Sequence, residues 1–543
     1  MHRPLPNPPS APQRAPLRAA RAPLLAALAG AWLCATGSPA AAQVTVDWSI
    51  AERGNAIAVD AQNSVYTVDF EQALGKEIVL TKRDVNGNLL WQASYDQTDR
   101  TKWEAASWVT VDHAGNVIVT GTSMSGFSNP VNAASIAMKF DADGNLLWRN
   151  VYESSFDGSS TRRCLVDAND NVYVLGLGNG PSGLVAKIKK FDPSGNTVWD
   201  WYDTSGVGSP LHFKLSPDGF LLVTGRGITG AINGYAKVDL AGQTVWGINL
   251  ASYTIGDLAG DTLGNTYVLS SESLPTARNV LKKLDPAGAQ LWETRHDLLA
   301  SRIEIGPDDL AVACGYPVAG FGSAFLKVDA NGNEVWKNLD ADGALNLLLH
   351  AQMAIDARGA AYLAAGTLFD MAVCKVNPDG SSAWTATTRG SYAYAMALGP
   401  QDSSVFVVGG NTARLLDETG SPWTDLGRGL AGAAGVPHLR GIGDLTASSA
   451  VELHLDGAAP NALALLVIGA SRIDLPLFGG TLVPSPDVVI GGLVTDGAGH
   501  WSTLDTWPDD ATAGDDWFVQ AWIADLGAPR KLAASNALRL VAR

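Results

Sequence analysis

Lys139-Phe140-Asp141-Ala142-Asp143-Gly144-Asn145-Leu146-Leu147-Trp148 is the stretch that decides the fold. Ile136-Ala137-Met138-Lys139-Phe140 leads into it with the period-two alternation of a β-strand. Asp141 can accept a bond from the backbone two residues on, and Gly144 can take the positive φ that a side chain resists, so the chain turns back here. The return strand ends on Trp148, whose ring is large enough to wedge between neighbouring sheets. Six more copies read Lys-x-[Asp/Asn]-x-x-Gly-x-x-x-Trp: Lys82 to Trp91, Lys190 to Trp199, Lys237 to Trp246, Lys283 to Trp292, Lys327 to Trp336 and Lys375 to Trp384. An eighth copy, Asp417/Gly420/Trp423, lacks the Lys and is one residue short.

The mean spacing of these tryptophans is about 47 residues, the range of propeller blades. A second element precedes each hairpin: apolar-x-apolar-Asp-x-x-[Gly/Asn] and then a β-rich strand, as in Ile57 to Val68, Val109 to Gly121 and Cys164 to Gly176. Four strands per unit and eight units predict an all-β fold, a β-propeller of eight four-stranded blades, with seven as the alternative. Val44-Thr45-Val46-Asp47-Trp48 looks like a ninth outer strand, able to complete the last blade and close the ring.

The domain boundaries expected are a signal peptide at 1–42, a propeller at 43–424 and a small antiparallel β-sandwich at 425–543. The leader has an Arg- and Pro-containing start, an apolar run from Leu24 to Leu33 and Ala40-Ala41-Ala42 at its end, the layout of an export signal cleaved before Gln43. Leu33 is bulky where a lipoprotein signal wants a small residue before Cys34. The C-terminal segment opens on a glycine- and alanine-rich run, Leu426 to Gly435, followed by alternating strands separated by turns such as Asp496-Gly497-Ala498-Gly499.

With 54 acidic and 38 basic residues the chain carries a net charge of −16, more negative still without the four leader arginines. Such a chain is a poor nucleic-acid binder and has no basic patch for anionic lipid. No later stretch is long and apolar enough for membrane insertion. Localisation is therefore expected outside the cytoplasm: secreted, periplasmic or at the cell surface. Cys164, Cys314 and Cys374 are too few and too widely spaced for a disulfide framework. Cys164 and Cys374 read as core thiols.

The blade, with Ala58-Val59-Asp60 and Gly115-Asn116-Val117-Ile118-Val119-Thr120-Gly121, resembles the bacterial β-propeller repeat of secreted proteins. The Asp-x-x-Gly-x-x-x-Trp hairpin is similar to the Trp-docking repeat of eight-bladed quinoprotein (PQQ) propellers, which also occurs in non-enzymatic outer-membrane assembly scaffolds. The C-terminal segment resembles a module appended to many secreted bacterial proteins, through Ala459-Pro460-Asn461-Ala462 and Ala534-Ser535-Asn536-Ala537-Leu538. The quinoprotein resemblance implies a calcium-bound PQQ site, often beside a vicinal disulfide, but the sequence has no adjacent cysteine pair.

The search for chemistry is otherwise sparse. Asp141-Ala142-Asp143-Gly144-Asn145 and Asp329-Ala330-Asn331-Gly332-Asn333 look like calcium loops, but an EF-hand loop needs its glycine at position 6 rather than 4. No zinc spacing and no Gly-x-Ser-x-Gly elbow is present. One constellation remains. Aligned on Asp60, Asp112, Asp167, Asp261, Asp356 and the equivalent Ser216, Gly306 and Gly399, the position three earlier is Ile57, Val109, Cys164, Phe213, Leu258, Ile303, Met353 or Met396, the inter-blade core. Four earlier stand Ala56, Trp108, Arg163, His212, Asp257, Arg302, Gln352 and Ala395. If first strands line the channel, Trp108, Arg163, His212, Asp257, Arg302 and Gln352 form a ring at its mouth, suited to a polar or anionic group. Trp103 with Trp108 could add an aromatic platform for a sugar. The expected function is a non-enzymatic binding or scaffold protein with a protein or carbohydrate partner at the cell exterior and no cofactor or metal. The alternative is a quinoprotein-like oxidoreductase using PQQ with calcium, or a propeller lyase or hydrolase. Self-association in a surface layer is a third reading.

Overall fold

The structure, a computed structural model, describes residues 44–543 apart from 71–76, 96–102, 125–133, 154–160, 181–182, 205–206, 227–232, 251–252, 273–277, 319–321, 340–348, 367–369, 391, 400–403, 418–421 and 444. The expected signal peptide at 1–42 and Gly420 lie outside the described residues. The chain divides into two compact units, Ala40–Gly427 and Arg428–Arg543. Among the described residues every regular element is a strand.

The first unit contains eight four-stranded antiparallel sheets. Blade 2 shows the pattern: Trp103–Val111, Val117–Met124, Ala134–Phe140 and Leu146–Glu153, each paired with the next. The first strands of successive blades pack against one another all the way round, and that of blade 8 (Ala393–Leu398) packs against that of blade 1 (Ala56–Val59). The ring is therefore closed at eight blades with first strands around the axis. The residues assigned to the inter-blade core are all buried, from Ile57 and Val109 to Met353 and Met396. They pack with neighbours of the adjoining blade, as where Val109 meets Val68 and Leu80.

Blade 8 corrects one assignment. Its outer strand is the N-terminal Val44–Ile50, running from Val44 opposite Asp417 to Ile50 opposite Thr412. Trp423, taken above as the eighth repeat tryptophan, lies on a separate strand, Trp423–Gly427, which is not part of that sheet. The eighth tryptophan is Trp48. In seven blades the motif Lys stands opposite the motif Trp across the hairpin, as Lys139 opposite Trp148 and Lys375 opposite Trp384. In blade 8 Arg414 stands opposite Trp48, so Arg414 replaces the missing Lys.

The tryptophans link each blade to the next. The Nε1 atoms of Trp48, Trp91, Trp148, Trp199, Trp292 and Trp336 donate to the carbonyls of Val85, Ala142, Pro193, Leu240, Ala330 and Pro378, at 2.8–3.2 Å. Each acceptor follows the turn Asp or Asn of the next blade. Trp384 instead donates to Asp417 Oδ1 at 2.8 Å. Trp246 packs on the blade 5 turn at Gly288, but its Nε1 has no partner among the described residues. The motif glycines carry positive φ, Gly144 at 86°, and they also leave room for the ring, since a Cβ on Gly144 would lie 2.9 Å from Trp91 Cδ2. Gly144→Ala therefore combines left-handed strain with a clash and should cost about 2 kcal/mol. Gly115→Ala, at φ 80° with nothing within 4 Å of the added Cβ, should cost about half of that. Urea denaturation of both variants reads the difference, and equal costs would remove the docking contribution.

The Lys of the motif reaches the same joint, as where Lys190 Nζ donates to Leu240 O of the next blade at 3.0 Å, and a carboxylate of its own blade anchors it. Lys139 Nζ meets Asp112 Oδ2 at 2.6 Å, and Lys283 meets Asp261 at 3.1 Å. Where the Asp is replaced by Ser216 or Gly306, a carboxylate two residues later takes over: Asp218 on Lys237 at 2.8 Å and Asp308 on Lys327 at 2.6 Å. The calcium-like loops are hairpin turns. Asp141 Oδ1 accepts from Asp143 N at 3.0 Å and Asn145 N at 2.8 Å, so backbone amides already occupy that oxygen.

The second unit holds Leu463–Gly469, Val488–Val494, Asp516–Ala524 and Leu532–Val541 in one sheet and His438–Ile442, Ala450–Asp456 and Trp501–Thr506 in another. A hairpin pairs Arg472–Leu477 with Gly480–Pro484. Asn536 joins the two sheets: its Oδ1 accepts from Leu439 N at 2.6 Å and its Nδ2 donates to Leu439 O at 2.9 Å. Fully buried Gln520 accepts from Val483 N and donates to Thr481 O and Ser535 O, each at 3.1 Å. These bonds account for two polar residues inside an apolar core.

Candidate functional site

The first strand of six blades carries a register shift just where the ring residue stands: between Ala106 and Trp108, Pro210 and His212, Ile255 and Leu258, Ala300 and Arg302, His350 and Gln352, and Ala393 and Ala395. Such bulges re-aim a side chain. In blades 1 and 3 the strand begins on the ring residue itself, Ala56 and Arg163.

The structure brings Arg163, His212, Asp257 and Arg302 into one electrostatic cluster and adds two residues that the sequence reading missed, Lys214 and Glu304. Asp257 is fully buried, so this part of the ring is interior rather than a rim. Its Oδ2 accepts from Lys214 Nζ at 2.8 Å and Ile303 N at 3.3 Å, and its Oδ1 accepts from Leu258 N at 2.9 Å. Lys214 also meets Glu304 Oε1 at 2.9 Å. The guanidinium of Arg163 lies 4.4 Å over the Trp108 ring, a cation–π contact. Arg302 Nη1 donates to Ser301 O at 2.8 Å. Across the channel, Gln352 Oε1 accepts from Met396 N at 3.1 Å. Ala56 and Ala395 are buried and bring no functional group. The side chain of Trp103 lies outside the described residues, so the sugar platform is left with Trp108.

Lys214 and Glu304 sit two residues beyond His212 and Arg302. Period-two alternation puts them on the same side of the strand, so a second pass at that offset would have found them. The other blades carry Ala58, Thr110, Leu165, Ala259, Ala354 and Ala397 at that position.

The electrostatics follow from burial. Burial opposes the charge on Asp257, but Lys214, His212 and Arg302 outweigh it and hold the carboxyl well below its usual range. Burial raises Glu304, offset in part by Lys214. Burial would lower Lys214, but Asp257 and Glu304 reverse this and hold it above the usual ammonium value. Burial lowers Arg163. Burial takes His212 down to about 4, against the pull of Asp257 and with repulsion from Arg302, Arg163 and Lys214.

No protein-family model matches the chain, and no curated protein does. Among solved structures the chain is similar to the Dos1 propeller, at 10% identity and a TM-score of 0.49 over 69% of this chain and 94% of that one. It is similar to the C-terminal WD40 domain of Sif2, at 8% identity and a TM-score of 0.47 over 69% and 98%. A protein from Lactobacillus plantarum shares 16% identity at a TM-score of 0.36 over 53% and 85%. The fold described here stands on its own strand pairing.

A cavity of about 440 Å³ adjoins the cluster, lined by the first strands of blades 1, 2, 7 and 8, including Ala58, Trp108, Thr110, Gln352, Ala354 and Ala397. A calcium-bound quinone does not fit the cluster: the buried carboxylate is saturated by Lys214 and two backbone amides, and cations crowd it. Among the described residues no group of three His, Cys, Asp or Glu side chains could hold a metal ion. Cys164, Cys314 and Cys374 are buried and unbridged. Burial pushes Cys164 and Cys314 up to about 12, which leaves both as thiols at neutral pH.

His212 Nδ1 lies 3.7 Å from Asp257 Oδ1 and has no hydrogen-bond partner among the described residues. Its pKa falls from 6.5 unfolded to about 4 folded. Between these values the unfolded chain binds more protons, so stability is present above pH 6.5 and is lost as pH falls toward 4. His212→Gln should remove up to about 3 kcal/mol of that loss. Asp257 and Glu304 remain in both proteins. Thermal melts of wild type and variant across pH 6.5 to 4 test this, and parallel curves would refute it.

Proposed function

We propose that this chain is an exported, non-enzymatic binding protein: the propeller is its rigid scaffold and the central channel its recognition site. The observation that carries the reading is the juxtaposition of an open cavity, lined by blades 1, 2, 7 and 8, with the charged cluster on blades 3 to 6. Concave, largely apolar sites with a few polar groups are where proteins take small ligands or protruding segments of a partner. The leader and the small-residue site before Gln43 support export, and cleavage there would keep the closing strand Val44–Ile50 whole. The partner is a protein or carbohydrate at the cell exterior. The C-terminal unit is read as the sandwich module that its sequence resembles.

A ligand array probed with wild type and with the Arg163→Ala/Arg302→Ala variant tests the site. Hits on wild type that the variant loses are expected; equal binding by both would discard the channel. Sustained dye-linked oxidation of sugars or alcohols with PQQ and calcium would overturn the non-enzymatic reading.

A further inference from the structure

The two sides of the channel are built differently. At the position two beyond the ring, blades 4 and 6 present Lys214 and Glu304, which meet each other at 2.9 Å. Blades 1, 7 and 8 present Ala58, Ala354 and Ala397 there, and blade 2 presents Thr110, all of them lining the cavity. The cavity exists because these short side chains stop short of the axis. Its 440 Å³ lies within the range of small-molecule sites.

The cluster beside it mixes charges of both signs. Arg163, Lys214 and Arg302 face two carboxylates, Asp257 and Glu304, and Lys214 reaches both of these. Arg163 makes no ion pair with a described carboxylate; its partner is the face of Trp108 at 4.4 Å. Trp108 in turn lines the cavity. Asp257 and Glu304 attract the Arg163 guanidinium without forming an ion pair with it, and an oxyanion arriving beside it gains charge-assisted, often bidentate, hydrogen bonds. Gln352, held by its bond to Met396 N, adds a polar group to the cavity wall.

From this arrangement we infer that the channel binds a small amphiphilic monoanion: a carboxylate or phosphate-ester head on Arg163, with an apolar or planar body in the cavity against Trp108 and the alanines of blades 1, 7 and 8. Through its contact with Trp108, Arg163 offers the cavity one guanidinium, which suits a single anionic head better than a polyanion. The inference rests on the channel being a recognition site, and it adds a small-molecule ligand there to the protein or carbohydrate partner.

The test is isothermal titration of the chain from Gln43 to Arg543 with 1-naphthoate, 1-naphthyl phosphate, the neutral 1-naphthalenemethanol and the polyanion benzene-1,3,5-tricarboxylate. At least one of the two naphthyl anions should bind tenfold or more tighter than the alcohol and than the tricarboxylate, and comparing the two identifies the preferred head. Arg163→Gln should bring that anion down to the level of the alcohol. Ala354→Leu/Ala397→Leu, which fills the cavity, should weaken all naphthyl probes together. Thermal melts confirm that each variant is folded, and the two variants act on different parts of the site, so loss of one leaves the other informative. Equal binding of anions and alcohol by wild type, an unchanged preference in Arg163→Gln, or no naphthyl binding at all would overturn the inference. If array ligands still depend on Arg163 and Arg302 while the naphthyl probes do not bind, only the ligand class fails. If neither set binds, the channel reading fails with it.

Discussion

A chain that begins at Glu52 instead of Gln43 should lose its cooperative unfolding transition. Val44–Ile50 supplies the whole outer strand of blade 8, with six paired positions from Val44 opposite Asp417 to Ile50 opposite Thr412. Its loss also takes away Trp48, which donates to Val85 O of blade 1 at 2.9 Å, and Asp47, which meets Arg414 at 3.1 Å. Arg414 is fully buried. It also donates to Ser404 Oγ at 2.8 Å, Val85 O at 3.2 Å and Asp425 O at 2.8 Å, and the truncation takes the Asp47 carboxylate from it. The lost strand pairing and the broken ion pair add to a loss on the order of 5–10 kcal/mol, comparable with the whole stability of a typical domain. Urea unfolding of the truncated chain should show a broad, early transition. A synthetic peptide covering 43–51 added in trans should restore the sharp one. A midpoint close to that of the full chain would mean that the ring does not depend on its closure.

Asp417→Ala should be the most damaging single substitution in the propeller. Asp417 is fully buried. Its Oδ2 accepts from Lys375 Nζ at 2.6 Å and Tyr362 OH at 2.8 Å, and its Oδ1 accepts from Trp384 Nε1 at 2.8 Å. Burial raises the Tyr362 hydroxyl well above the ordinary phenol value, and Asp417 and Asp356 raise it further, so it stays a donor. Lys375 is buried as well. Removing the carboxylate takes the charged acceptor from the Trp384 indole and a close one from the buried Lys375 ammonium, while Tyr362 keeps Asp356 Oδ2 at 3.1 Å, a cost of about 3–5 kcal/mol. Asp417→Asn keeps an acceptor without the charge and should fall between Ala and wild type. Asp84→Ala, in an exposed turn of blade 1 where Asn88 is the side-chain partner, should cost about 1 kcal/mol or less. Thermal melts of the three variants give the ranking, and a cost for Asp417→Ala no larger than that for Asp84→Ala would refute the lock.

Both sites lie at the seam of the ring, where the sequence reading was partly right. Val44 to Trp48 was legible as a strand able to close the last blade, because alternation is a local signal. The placement of Trp423 in the repeat was not correct. Asp417 was read as the start of a shortened hairpin turn, but it ends a strand and pairs with Val44. The replacement of the motif Lys by Arg414 was hidden because its partner tryptophan comes some 370 residues earlier, outside any local window. The grouping of Arg163, His212, Asp257 and Arg302 follows from one alignment offset. Lys214 and Glu304 were overlooked because their offset carries alanine in four of the eight blades, which gives no chemical signal.

The sequence by itself determined the blade: the Asp and Gly of the turn, the alternating strands and the inter-blade core recur often enough that each copy corroborates the others. It also assigned the tryptophans to architecture, because a large ring at a constant distance after a tight turn has a repeated structural task. Only the tertiary structure decided the count and the seam, since closing the ring is a pairing between the two ends of the propeller. It likewise decided that one side of the channel is open and the other filled with charge. That asymmetry depends on how far alanines, lysine and glutamate reach toward a common axis, and a distance across eight separate strands is not written in any one of them.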